Sequence, residues 1–566
     1  MANDSQSVTV FVKSTGKKVR LTKSDYKGAG GQGVVYQKDG IAYKVYHPDK
    51  PVLPEAKIIE LRSIGLPHVL APVDVLLDQK GVTVGFTMPF VQDTEFLCKL
   101  FNKGFRNRSG ISPADIVELV KQQQLTLAHI HTKDILVVDY NEMNFLVSGT
   151  FDKTYFIDVD SYQTPNFRAQ FLMESVRDYS TPHGEFSEVT DWFSWGVITF
   201  WLYMGVHPYK GYHPQFSELS ERMEKNISVF DPDVQLPPSC QDWSVLPANH
   251  REWYKRVFQN GERSVPPLSD GRILVTKVIH LKQTAVFITV KTQEYEGDVR
   301  SIAYLGGKRC AITSEKMYEN TSPVGNASAL GKSKVGLFMD TDNNPLVAIK
   351  NGHSLGIFDW SQKSVVARDI LADDMMVFEG RLFTRSGDTI LVNECTKMEA
   401  KTVHYCQAVG NAFGNACKLY PGVAVQDVVG KCWIGVPGEG TTWFPIHIST
   451  LDGHRILDAK RAHMCVVLIS EKDGKYVRTI VSLSSDWKVE NIRQEKAEAG
   501  ASAEIAYLPK GVYASPVGDC LEVFKGSQVR IFKDSPVPAG AMLYSEGDTL
   551  MYVDGNTLIK AEMKRL

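Results

Sequence analysis

The run Gly28-Ala29-Gly30-Gly31-Gln32-Gly33 leads into Val34-Val35-Tyr36, a G-x-G-x-x-G pattern running into a strand-like segment. Glycines at these positions let a hairpin fold closely over phosphate groups, where a β-carbon would collide. Alone, such a run marks a turn more often than a site. Lys44 follows on the return segment Ile41–Tyr46, after Asp39-Gly40, and lies within reach of anything beneath the loop. Its apolar neighbours Ala42 and Val45 argue against a solvated edge lysine. Further on, Asp139 and Asn144 stand as D-x-x-x-x-N between Leu136 and Val147, and Asp158 and Asp160 follow in Phe156-Ile157-Asp158-Val159-Asp160. Carboxylates and an amide beside short apolar strands make a hard-oxygen set suited to magnesium rather than zinc. Any one of them could simply form a turn. The ordered set of loop, lysine, D-x-x-x-x-N and later Asp is much harder to reach by accident.

These residues need strands and helices to hold them. Val34–Lys38 and Ile41–Tyr46 read as a hairpin about Asp39-Gly40. Ser112-Pro113 opens a helix, with Ser as N-cap and Pro at the first helical position, and Ile116, Val117, Leu119, Val120, Leu127 and Ile130 form its apolar face. A second helix follows Asp191 and a third lies near Ala248–Gln259. The apolar run Trp192–Val206 is too short to span a bilayer and fits a buried core helix. Beyond about residue 270 the pattern changes to short alternating segments with Gly, Asp and Asn turns, which predicts an all-β domain. Segments opening near Ile302, Val335, Val377, Val423, Met464, Ile505 and Leu543 recur at about 40 residues, and two share the words Ile302-Ala303-Tyr304-Leu305 and Ile505-Ala506-Tyr507-Leu508. Four strands with turns need about that length, so the repeat predicts a six- or seven-bladed β-propeller, with a pair of β-sandwiches as the alternative. Ring closure would pair the run near Val286–Val290 with strands near residues 543–560, leaving no open edge. The expected division is residues 1–269 and 270–566.

Together, the glycine loop, Lys44, Asp139, Asn144 and Asp158 resemble the eukaryotic-type protein kinase superfamily, over about residues 20–270. The resemblance implies an α+β bilobal kinase-like domain, with its N-lobe at about 20–90 and its C-lobe at about 91–269. It implies ATP and Mg2+ as cofactors. Gly28, Gly30 and Gly33 would cover the phosphates and Lys44 would grip them. Met88, Phe90 and Val91 would line the adenine hinge. Asp139 would take the acceptor's proton, and Asn144 and Asp158 would hold magnesium. Glu60, with Glu55 as runner-up, would pair with Lys44. Asp191 would brace the catalytic loop from beneath, and Arg263 falls where the family keeps a structural arginine, its acidic partner unplaced because Thr181-Pro182-His183 stands where one is expected. Val137-Val138 replace the usual His-Arg, Asn141 replaces a lysine, and Asp158-Val159-Asp160 replaces Asp-Phe-Gly. The last of these resembles divergent bacterial and phage kinases and also small-molecule phosphotransferases. Asp160 could add a metal contact or cap a turn.

The totals narrow the partners. With 63 Lys plus Arg against 65 Asp plus Glu, the net charge of −2 gives no bulk reason to expect nucleic acid or a membrane surface. The nine cysteines are scattered without metal-ligand spacing and read as reduced, buried thiols. Met1–Lys23 is polar, and the expected setting is the cytoplasm. The function expected is a serine/threonine protein kinase acting on a protein substrate, with the propeller recruiting substrate or partner. A nucleotide-binding pseudokinase scaffold and a small-molecule kinase are the alternatives.

Overall fold

Early in the chain, β-branched and aromatic residues alternate between Gly and Asp turns, and this pattern folds as a single antiparallel sheet. Its strands are β1 (Val8–Val12), β2 (Lys18–Leu21), β3 (Tyr26–Ala29), β4 (Gly33–Lys38), β5 (Ile41–Tyr46), β6 (Asp74–Leu77) and β7 (Thr83–Pro89), in the order β2-β1-β6-β7-β5-β4-β3. The computed structural model describes residues 7–269, 284, 286–359, 362–399 and 401–564. The chain divides into two compact units, Met1–Phe101 with Ser112–Lys277, and Asn102–Ile111 with Val278–Leu566. Asp39 and Gly40 both take positive φ, the backbone of a two-residue hairpin turn, and this sets Val35 opposite Lys44. Gly33 is required by packing, since a β-carbon there would come within 2.4 Å of the Val45 carbonyl oxygen.

Helix α1 (Glu55–Arg62) follows the hairpin. After β8 (Thr94–Phe96), α2 (Lys103–Ser109) and α3 (Pro113–His131) come β9 (Phe145–Ser148) and β10 (Thr154–Phe156), which form a sheet with β8. Ser112 and Asp115 cap the start of α3 reciprocally, and Ile116, Leu119, Val120, Leu127 and Ile130 are buried, as the pattern predicts, whereas Val117 is only half-buried. Helix α4 (Glu188–Met204) starts three residues before Asp191, because Ser187 and Thr190 form the capping box. Every residue of α4 from Thr190 to Met204 is buried, each large side chain contributing on the order of 1.5–3 kcal/mol. It packs against α6 (Ala248–Phe258), which follows α5 (Leu219–Glu224), with Trp195 and Trp253 rings 5.6 Å apart. Among the described residues, no helix is long and apolar enough to cross a membrane.

Arg263 finds its acid in Asp178, three residues before the position expected. Its Nε and Nη2 each donate to the carboxylate at 2.6 Å, and the Asp178 side chain is 1% exposed. Burial opposes the charge on Asp178, but Arg263 and Ser180 hold its pKa below the ordinary carboxylate value. A pKa depressed on folding contributes stability above the unfolded value that is lost as pH falls through the folded one. Removing one member strands a buried charge, so Arg263→Ala is expected to destabilise the first unit by about 3–5 kcal/mol. Arg263→Lys should restore little, because an ammonium cannot reproduce the two-pronged geometry. Thermal melts at neutral pH check this, and the gap between wild type and variant should close in acid.

The second unit contains seven four-stranded antiparallel sheets among the described residues. Ile302, Val335, Val377 and Leu543 lie on the first of three or four consecutive strands of their sheets. Val423 instead opens a second strand, and Met464 precedes one, so the sequence repeat drifts against the sheets. Strand β11 (Phe287–Glu294) pairs with Thr557–Met563 in the sheet that also holds Met542–Glu546 and Thr549–Asp554. This is the pairing expected from the open edge. Arg272–Val275, read as a further strand, lies outside the described residues. The segment Asn102–Ile111, carrying α2, belongs to this unit through Lys103–Asp554 (2.7 Å), Arg108–Glu504 (2.8 Å) and the Asn102 amide on the Gly500 carbonyl (3.0 Å). Six cysteines are buried as expected, whereas Cys240 and Cys520 are half-buried and Cys406 is exposed on an outer strand.

Candidate active site

Lys44 sits on β5 with its side chain turned into the first unit, where apolar neighbours leave it 8% exposed. Its Nζ donates to Asp160 Oδ2 at 2.7 Å, Asp158 Oδ1 at 3.1 Å and Gln32 Oε1 at 3.0 Å. The glycine loop, the return strand and the Asp158–Asp160 turn therefore meet at one ammonium. Burial alone would pull the lysine down, but Asp160 and Asp158 more than offset it and hold Lys44 protonated above the ordinary lysine range.

The expected partner Glu60 is not brought to Lys44. On the eight-residue α1 the buried positions are Lys57, Ile58 and Leu61, so Glu60 lies at the margin of the inward face. There it accepts from the Asn166 side chain at 2.6 Å. Glu55, the runner-up, pairs at the surface with Lys13. The inward-facing charge on α1 is a cation, and Lys57 Nζ donates to the backbone carbonyl of Asp160 at 2.8 Å. A lysine beside Ile58 and Leu61 was the available signal, because a buried ammonium needs an acceptor.

The two carboxylates of the turn differ in environment. The Asp160 side chain is 6% exposed and also accepts from the Tyr46 hydroxyl at 3.2 Å, whereas Asp158 is 37% exposed. Asp158 lies in the left-handed region, φ 57°, at the start of the turn. Asp160 is thus buried against Lys44 and Tyr46, while Asp158 faces outward. Asp160 fills the place expected for Glu60.

Asp139 and Asn144 share one loop. Asn144 Nδ2 donates to the Asp139 carbonyl at 2.9 Å, which leaves Oδ1 as the atom it can offer a cation. Asp139 Oδ2 accepts from Asn141 at 2.8 Å, and Oδ1 accepts from the Met173 N–H at 2.9 Å. Burial pushes the Asp139 pKa above the usual carboxylate value, against the pull of these hydrogen bonds. Asp191, fully buried on α4, accepts the N–H groups of Val137 and Val138 at 2.8 Å each and bonds His131 at 2.9 Å. That brace holds Val138 at φ 63°, a left-handed conformation that a β-branched residue adopts only under strain. Beside this loop opens a cavity of about 220 Å3 lined by Val138, Leu172, Arg177, Thr181, Phe186 and Ser194 among others.

Met88 is the penultimate residue of β7, opposite Ala42, with Phe90 and Val91 following the strand and half-buried. Gly28 and Gly30 differ from Gly33, because a β-carbon at either would meet no protein atom within 4 Å. Packing within the chain does not explain their lack of a side chain. Searches against protein-family models and curated proteins give no match to this chain.

Proposed function

We propose that the first unit is a protein-kinase-like phosphotransferase that uses ATP and Mg2+ to phosphorylate Ser or Thr of a protein. The observation that carries this reading is the convergence on Lys44 of Gln32 from the glycine loop and Asp158 from more than a hundred residues away. Lys44 would meet phosphate oxygens beneath Gly28, Gly30 and Gly33, and Met88, Phe90 and Val91 would take the adenine. Magnesium on Asn144 Oδ1 and Asp158 would supply charge neutralisation at the transferring group. Asp139 would accept the proton of an acceptor hydroxyl, and the cavity beside Val138 offers the acceptor segment a seat. The seven sheets of the second unit, with β11 joined to the C-terminal strand, read as the blades of a closed propeller. Its role would be to recruit substrate or a partner, by analogy of fold.

Incubation of the full chain with γ-labelled ATP, Mg2+ and a generic acceptor protein tests the reading. Label in the acceptor or in the chain itself is expected, and its absence despite nucleotide binding would favour a scaffold. That second reading has one observation behind it. Asp139 is 6% exposed, with both oxygens engaged by Asn141 and Met173.

Met173→Pro separates the two. Met173 has φ −72°, which proline accepts, so the exchange removes mainly the N–H on Asp139 Oδ1. Losing a bond that lowers the Asp139 pKa lets burial raise it further. A base works only when deprotonated, so activity falls as pH drops through its pKa. The acidic limb of the pH–rate profile is therefore expected to move to higher pH, with the KM for ATP unchanged. An unmoved limb would remove Asp139 from the role of base.

A further inference from the structure

We infer that Asp160 is the positioning residue of Lys44, and that helix α1 serves the site through a cation, Lys57, instead of an acid. The inference rests on the kinase-like reading and adds to it the circuit that holds its lysine. Asp160 Oδ2 receives both Lys44 Nζ at 2.7 Å and the Tyr46 hydroxyl at 3.2 Å. Lys44 and Tyr46 are two apart on β5, so they point to the same face of the sheet, and one buried carboxylate gathers both. The backbone of Asp160 is tied in turn by Lys57 Nζ on its carbonyl at 2.8 Å. The Ser161 hydroxyl secures the Asp158 carbonyl at 2.8 Å.

The different burial of the two carboxylates separates their duties. Asp158, 37% exposed, holds Lys44 through Oδ1 at 3.1 Å and still faces the cleft, where a cation could meet it; Asp160, 6% exposed, is engaged by both Lys44 and Tyr46 through Oδ2. The lysine–acid couple is therefore closed between β5 and the turn after β10. A shift of Glu60 on α1 would not open it, since Glu60 is engaged with Asn166. Lys57 instead supports the turn that presents both carboxylates.

The test measures binding of a fluorescent ATP analogue with Mg2+ to the full chain, together with the Mg2+ dependence of transfer. Asp160→Asn is expected to weaken nucleotide binding roughly 10- to 100-fold, the worth of a hydrogen bond to a charged group. The Mg2+ concentration for half-maximal activity should stay put, while Asp158→Asn should raise it. The Lys44→Met/Asp160→Asn pair should bind no more weakly than Lys44→Met alone, because Asp160 acts through Lys44. Glu60→Gln should weaken binding less than Asp160→Asn does. Additive losses in the pair, or a raised Mg2+ requirement in Asp160→Asn, would overturn the inference and make Asp160 a metal ligand. If Lys44→Met itself binds and transfers like wild type, the kinase-like reading fails instead, and the two failures cannot be confused.

Discussion

Lys44→Met and Asp158→Ala are each expected to lower phosphoryl transfer by at least about 100-fold, the scale seen when one preorganised charge-stabilising group is removed. The first exchange takes away the cation that Gln32, Asp158 and Asp160 converge on, and the second an exposed carboxylate suited to a hard cation. Their effects on the fold should differ. Lys44→Met leaves Asp160 buried without its cation, a change of the kind that costs about 3–5 kcal/mol, so its melting temperature should drop. Asp158→Ala leaves the Lys44–Asp160 pair in place and should melt close to wild type. Transfer assays beside thermal melts check both, and Lys44→Met/Asp160→Asn, which removes both charges, should regain stability without regaining transfer. Full activity in either single variant would overturn the site assignment.

Asp139→Asn is expected to cut turnover by about 10^2- to 10^4-fold while leaving nucleotide affinity nearly unchanged. The base acts on the acceptor hydroxyl and takes no part in ground-state nucleotide binding, so the loss should fall on kcat and not on the affinity for ATP. An asparagine fits the space, and its amide oxygen can still accept from Asn141 or from the Met173 N–H. The loop around it stays braced by Asp191 on Val137 and Val138, so a local collapse would not account for lost turnover. Steady-state kinetics with nucleotide titration separates the two quantities. Lost nucleotide binding with turnover preserved would give Asp139 another role.

The local structure read correctly from the chain is that whose partners lie a few residues away. The Asp39-Gly40 turn sets Lys44 on its return strand by hairpin geometry alone. Ser112, Pro113 and Asp115 similarly determine the start of α3, because capping is completed inside one turn of helix. The pairing of β11 with the C-terminal strand was also legible, although its partners are far apart, since an unpaired strand at each end must be satisfied by something.

What the residues could not decide was which side chain crosses from one element to another. Spacing favoured Glu60 for Lys44, but the rotation of α1 follows from burying Ile58 and Leu61, and that rotation turns Lys57 inward and Glu60 toward Asn166. Asp178 rather than a residue of Thr181-Pro182-His183 meets Arg263 because the intervening backbone carries it there, not because of any local pattern. The exposure that separates Asp158 from Asp160, two residues apart, arises only when β5, α1 and the turn pack together. By itself the sequence determined the inventory of charged groups and the local turns that present them. Tertiary packing alone decided which carboxylate is buried with the lysine and which stays open, because burial belongs to the packed assembly of elements rather than to any one segment.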